Sequence, residues 1–146
     1  MSHPNDSFST TFSSTAVVNE HRQQLTVRPK SLAGIRGLVA VHLRRWGCEA
    51  MVAPAALCTT ELLSNVLKHT GSPDCVLTLQ SNAGAVRITV SDASTEMPVV
   101  KQPDWMSQNG RGMFLLNGTA DEWGAEPTPD GKDVWFEIRA SNKGAA

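Results

Sequence analysis

Two short runs with a period of two, Cys75 to Gln80 and Val86 to Val90, flank the tetrapeptide Ser81-Asn82-Ala83-Gly84. A connection this short joins only neighbouring antiparallel strands, since a parallel return needs a crossover of about a dozen residues or more. In the second run Val86, Ile88 and Val90 point one way and Arg87, Thr89 and Ser91 the other, so the hairpin presents one apolar face that something must cover. The segments upstream supply the cover. Ser31 is positioned to cap a helix whose apolar residues Leu32, Ile35, Val39, Leu43 and Trp46 recur at spacings of three and four and which ends at Gly47. A second helix follows, with Pro54 in its first turn and Gly71 just past its end. Downstream, Asp121 to Ala125 and Val134 to Arg139 read as strands around a Pro127-Thr128-Pro129-Asp130-Gly131 turn. Helices early and hairpin-paired strands late predict an α+β fold, a two-layer sandwich with helices on one face of a mostly antiparallel sheet.

The remaining segments set the boundaries. Residues 2–15 hold eight Ser or Thr and only Phe8 and Phe12 as large apolar groups, so a flexible tail is expected over 1–19, a domain over 20–140 and a short tail over 141–146. Gln24-Leu25-Thr26-Val27 reads as a short edge strand stopped by Pro29. The stretch from Ala93 to Asn109 has no periodicity and is long enough to suggest a lid. Gly110-Arg111-Gly112 then opens a short apolar helix, Met113 to Asn117.

The chain has 146 residues with a formal net charge of −1, which argues against binding nucleic acid or an anionic membrane through bulk charge. The charge is unevenly placed: residues 1–73 carry seven basic and four acidic side chains, residues 74–146 six and ten. Cys48, Cys58 and Cys75 are odd in number and widely spaced, signalling neither a disulfide framework nor a zinc site. With no leader-like N-terminus and no run of about 18 apolar residues expected to span a bilayer, the sequence predicts a cytoplasmic protein.

Three constellations could carry chemistry. On the second helix Glu61, Asn65, Lys68 and His69 form a column opposite the apolar face of Ala55, Ala56, Thr59, Leu62, Leu63, Val66 and Leu67. The column is either an ordinary solvated face or a carboxylate and an amide oxygen aimed at a ligand, the amide suited to Mg²⁺ and the carboxylate to taking a proton. Asp92 closes the second hairpin strand. It is either a turn residue bonding its own backbone or a carboxylate that accepts an exocyclic amino group and so selects adenine. Gly110 and Gly112, flanking Arg111 at a helix start, permit close backbone approach and offer free N–H groups to a phosphate; a plain loop-to-helix turn is the alternative.

Taken in order, Glu61-Leu-Leu-Ser-Asn65-Val-Leu-Lys-His69-Thr-Gly71, Asp92-Ala-Ser-Thr-Glu-Met-Pro98, Gly110-Arg-Gly112-Met-Phe-Leu-Leu116, Trp123-Gly124 and Gly131-Lys-Asp-Val-Trp-Phe-Glu-Ile138 resemble the RsbW-like anti-sigma factors and serine-protein kinases of the GHKL ATPase superfamily. The resemblance covers about residues 20–140 and implies the Bergerat ATP-binding fold, with ATP and Mg²⁺ as cofactors. It implies that Glu61 is the general base, Asn65 the Mg²⁺ ligand, Asp92 the adenine-reading carboxylate, and Gly110, Arg111 and Gly112 the phosphate-side residues. It further implies a protein-serine kinase of a partner-switching system, a homodimer, with a sigma factor and an anti-anti-sigma protein as partners. The sequence departs from the superfamily pattern twice. No glycine follows Asp92 before Pro98, where Asp-x-Gly-x-Gly is common, and Asp133 stands where similar proteins often carry Thr. A carboxylate at 133 would lie near Asp92 and raise its pKa unless it points to solvent. These departures leave a second reading open, a kinase-inactive antagonist that binds a sigma factor without nucleotide.

Overall fold

The computed structural model describes residues 16–69, 71–82, 84–99 and 111–140. Strand β1 (Asn19–Thr26) leads into helices α1 (Leu32–Arg45) and α2 (Val52–His69); the hairpin β2 (Asp74–Ser81) and β3 (Ala85–Asp92) follows; then come α3 (Arg111–Thr119) and the hairpin β4 (Glu122–Thr128) and β5 (Gly131–Arg139). The five strands form one sheet in the order β1-β2-β3-β5-β4, and every neighbouring pair is antiparallel. The chain is the predicted α+β sandwich.

Local chemistry explains most element ends. At the close of α1, Gly47 takes φ +76°, which L side chains rarely adopt. The Cys48 N–H then reaches the Leu43 carbonyl (2.7 Å) and the Gly47 N–H the Arg44 carbonyl (3.1 Å), so two otherwise orphaned carbonyls are satisfied in a Schellman pattern. The start of α1 differs from expectation. Ser31 makes no side-chain cap bond, because Pro29–Ser31 forms a 3-10 turn that feeds the helix directly. Between β2 and β3, the Asn82 carboxamide oxygen accepts the Gly84 N–H at 2.9 Å, a side-chain turn of the kind Asn favours.

The strands run longer than their apolar patterns. In β1 the ladder begins at Asn19 opposite Ser81, five residues before the expected strand, because backbone pairing with β2 recruits a stretch without an apolar residue. Strands β4 and β5 extend to Thr128 opposite Gly131, shrinking the second turn to Pro129-Asp130. Pro127 is tolerated because β4 is an edge strand.

The core lies between the layers. Helix α2 packs against α1 and α3 and over β3 and β5. Its Ala55, Cys58, Leu62, Leu63 and Val66 meet Leu77, Leu79, Ile88, Val90 and Phe136 of the sheet, together with Val39 and Leu43 of α1 and Leu116 of α3. Each large side chain so buried contributes about 1.5–3 kcal/mol relative to exposure. The segment Glu49–Lys68 has a mean hydropathy of 1.4 over a helix long enough to cross a membrane, contrary to the expectation that no stretch would qualify; its apolar side forms the core of the sandwich.

The sheet face turned away from the helices carries charge instead. Arg87 on β3 pairs with Glu137 on β5 at 3.1 Å, with side chains 4% and 0% exposed. The Arg87 guanidinium sits 3.9 Å over the Trp135 ring, and Trp135 lies flat against Gly124, where a Cβ would come within 2.7 Å of the indole. Arg139 bridges Glu137 (3.0 Å) to Glu122 of β4. Arg87 and Thr89, polar in the alternating pattern, are therefore as buried as the apolar residues between them.

Candidate functional site

Asp92 is the last residue of β3 and shares the helix-facing side of the sheet with Val86, Ile88 and Val90. In register it lies between Cys75 of β2 and Lys132 of β5. The Lys132 ammonium donates to Asp92 Oδ1 at 3.1 Å, and the two side chains are only 7% and 4% exposed. The Ser94 N–H donates to the same oxygen at 2.9 Å, and Lys132 also reaches the Ser94 carbonyl at 3.5 Å. Ser94 Oγ in turn accepts the Glu96 N–H at 3.1 Å. Two successive side-chain turns thus shape the exit from β3, a stretch with no glycine from Ala93 to Pro98. Among the described residues, the contacts to this carboxylate fall on Oδ1 and none falls on Oδ2. Gly131 makes this packing possible: a Cβ there would fall 1.9 Å from the Asp92 carbonyl oxygen.

Asp133 does not disturb Asp92. It stands opposite Ser91 and Glu126, one residue along from Lys132, and strand alternation sends it to the other face of the sheet. The expected carboxylate repulsion is replaced by a buried cation one position earlier. Sequence pattern alone assigns no role to Lys132 or Gly131; their signal is the Gly-Lys pair that opens the strand facing Asp92.

On α2, Glu61 and Asn65 are both half-buried and Lys68 is exposed. One helical turn separates the carboxylate from the amide, about 5–6 Å between Cβ atoms. Burial pushes the Glu61 pKa up from its ordinary value, with Lys68 pulling partly the other way. A carboxylate of raised basicity is what proton abstraction needs. The nearby thiol is no rival nucleophile: desolvation and the Glu61 charge hold Cys58 at about 12, and Cys75 is raised to about 11 chiefly by desolvation.

Glu61 and Asn65 stand on the helix that packs over β3, and Asp92 closes β3 on the sheet face that this helix covers. Arg111 and Gly112 are the first two residues of α3, not a preface to it, since the helix begins at Arg111 rather than Met113. Gly110 lies outside the described residues, as do positions 100–109 of the expected lid.

A family model, the histidine kinase-like ATPase domain, matches residues 25–138. The chain belongs to this family. The match runs from the end of β1 to the end of β5 and includes Glu61, Asn65, Asp92, Gly110, Arg111, Gly112, Gly131 and Lys132. A comparison with the curated proteins finds no match. The histidine kinase-like ATPase domain, with its α+β architecture, points to an ATP-binding regulatory function.

Proposed function

We propose that the protein binds ATP with Mg²⁺, phosphorylates a serine of an anti-anti-sigma protein and, as a cytoplasmic homodimer, sequesters a sigma factor. The observation that carries the nucleotide part is the Asp92 carboxylate, buried on the helix-facing side of the sheet, with one oxygen held by Lys132 and Ser94 and the other without a partner among the described residues. The partner-switching part is supported by the ordered resemblance to the RsbW-like branch.

The residues fit the group. Asp92 Oδ2 is an acceptor suited to the exocyclic amino group of adenine, and a site built on such a bond rejects bases that cannot supply the donor. The Asn65 amide oxygen is a hard neutral ligand for Mg²⁺. Backbone N–H groups at Gly110, Arg111 and Gly112 suit the phosphates, which explains how a chain of net charge −1 accommodates a polyanion. When bound, Mg-ATP supplies the phosphoryl group and the cation that screens its charge. Glu61 takes the proton from the attacking serine hydroxyl, and its half-buried setting keeps it basic enough to do so.

Incubation with radiolabelled Mg-ATP and an anti-anti-sigma protein of the same organism tests the assignment. Serine labelling is expected, and Glu61→Gln is expected to slow it by about 10²–10⁴-fold with little change in nucleotide affinity. An unlabelled partner, or a Glu61→Gln variant as fast as the parent, contradicts it. The lack of any glycine from Ala93 to Pro98 favours a second reading, the kinase-inactive antagonist. That reading expects equal capture of the sigma factor with and without ATP.

A further inference from the structure

We infer that Lys132 is a specificity-determining residue, which positions the Asp92 carboxylate so that it reads the 6-amino group of a purine; the inference rests on the nucleotide-binding reading above. Asp92 has two oxygens, and the described residues use one. Lys132 and the Ser94 N–H converge on Oδ1 at 3.1 and 2.9 Å, fixing the carboxylate plane and turning Oδ2 away from its protein partners. Burying a carboxylate that is 4% exposed is costly unless a cation is placed beside it, and Lys132, itself 7% exposed, is the cation that β5 brings to it at 3.1 Å. Across the other side, β2 presents only the Cys75 thiol, which carries no charge because burial and Asp92 both raise it. The register that pairs Asp92 with Lys132 is held by Gly131, the one residue type whose backbone can pass so close to the Asp92 carbonyl.

The consequence is a division of labour within one side chain. Oδ1 belongs to the protein and Oδ2 to the ligand. Oδ2 accepts from the amino group of adenine and meets the 6-oxo group of a hypoxanthine or guanine base acceptor to acceptor, so the preference depends on the buried cation that Lys132 places beside the carboxylate. Lys132 also spans to the Ser94 carbonyl, tying base recognition to the first residues of the segment leaving β3.

The test compares ATP with ITP, which carries oxygen in place of the 6-amino group, by calorimetry on the full chain. The parent is expected to favour ATP by tenfold or more, and Lys132→Met to lose about tenfold or more in ATP affinity while ITP affinity stays within about twofold, collapsing the preference. Lys132→Arg, which restores a cation, is expected to retain most of it. A residue with a merely structural role would weaken both nucleotides together, so equal losses for ATP and ITP overturn the inference, as does an unchanged preference in Lys132→Met. Should Lys132→Met fail to fold, Lys132→Gln keeps a donor to Oδ1 without the charge; a preserved preference in that variant also overturns the inference. Absence of ATP binding by the parent overturns the nucleotide reading itself, a result distinct from either of these.

Discussion

Glu61 illustrates how a site residue is set against the fold that holds it. Its pKa is raised by burial, so the folded protein binds the Glu61 proton more tightly than the unfolded chain does. A group shifted this way contributes stability that is fully present below its unfolded pKa and is lost as pH rises through the folded one. The carboxylate form that the proposed proton abstraction requires is thus the one the fold tolerates less. Glu61→Gln removes this pH dependence. Its melting temperature relative to the parent should become more favourable as pH rises from about 4 to 7, and thermal scans across that range check the sign. A melting temperature that falls relative to the parent over the same interval would show that Glu61 is stabilised, not strained, in its ionised form. At this scale the sequence was informative about residue types and poor about contacts. Glu61, Asn65 and Asp92 were legible because helix and strand periodicity place them, whereas the Lys132 pair was not, since it joins positions 40 residues apart. The concern over Asp133 dissolved for the same reason: only the register between β3 and β5 tells which face each residue of β5 occupies.

At the scale of elements, the ends of helices and strands were legible where one residue dictates them. Gly47 at the close of α1 is such a case, because its φ of +76° suits glycine and the Schellman bonds depend on it. Gly47→Ala meets no steric obstacle from neighbouring atoms, so its cost is backbone strain alone. That cost should be about 1–2 kcal/mol, measured by denaturant unfolding with an unchanged slope. A cost near zero would mean that the turn relaxes without its glycine. Other boundaries depended on partners and were missed. Ser31 looks like a cap but sits in a 3-10 turn, and β1 begins five residues early because an existing β2 offers it a ladder. Burial of the polar outer face is not visible from alternation. Arg87 and Thr89 are buried on a sheet side no helix described here covers, with Trp135, Glu137 and Arg139 gathered across β5.

The whole molecule joins an apolar layer boundary to a polar site at one end of β3. The class of fold was visible because the order of helices and hairpins admits few sandwiches, and the ordered motifs narrowed it further. The position of β5 between β3 and β4 was not visible, and it is decisive, since it delivers Lys132 to Asp92. In the proposed function, backbone N–H groups and a divalent cation reconcile the near-neutral charge with a polyanionic ligand. The central claim is that this arrangement binds Mg-ATP through Asp92 and Asn65. Calorimetric titration of the purified chain with ATP, in the presence and absence of Mg²⁺ and repeated on Asn65→Ala and Asp92→Asn, tests it most directly. Saturable binding by the parent that Mg²⁺ strengthens, loss of the Mg²⁺ dependence in Asn65→Ala, and at least tenfold weaker ATP binding in Asp92→Asn are predicted. No binding by the parent, or binding indifferent to both substitutions, would contradict the claim.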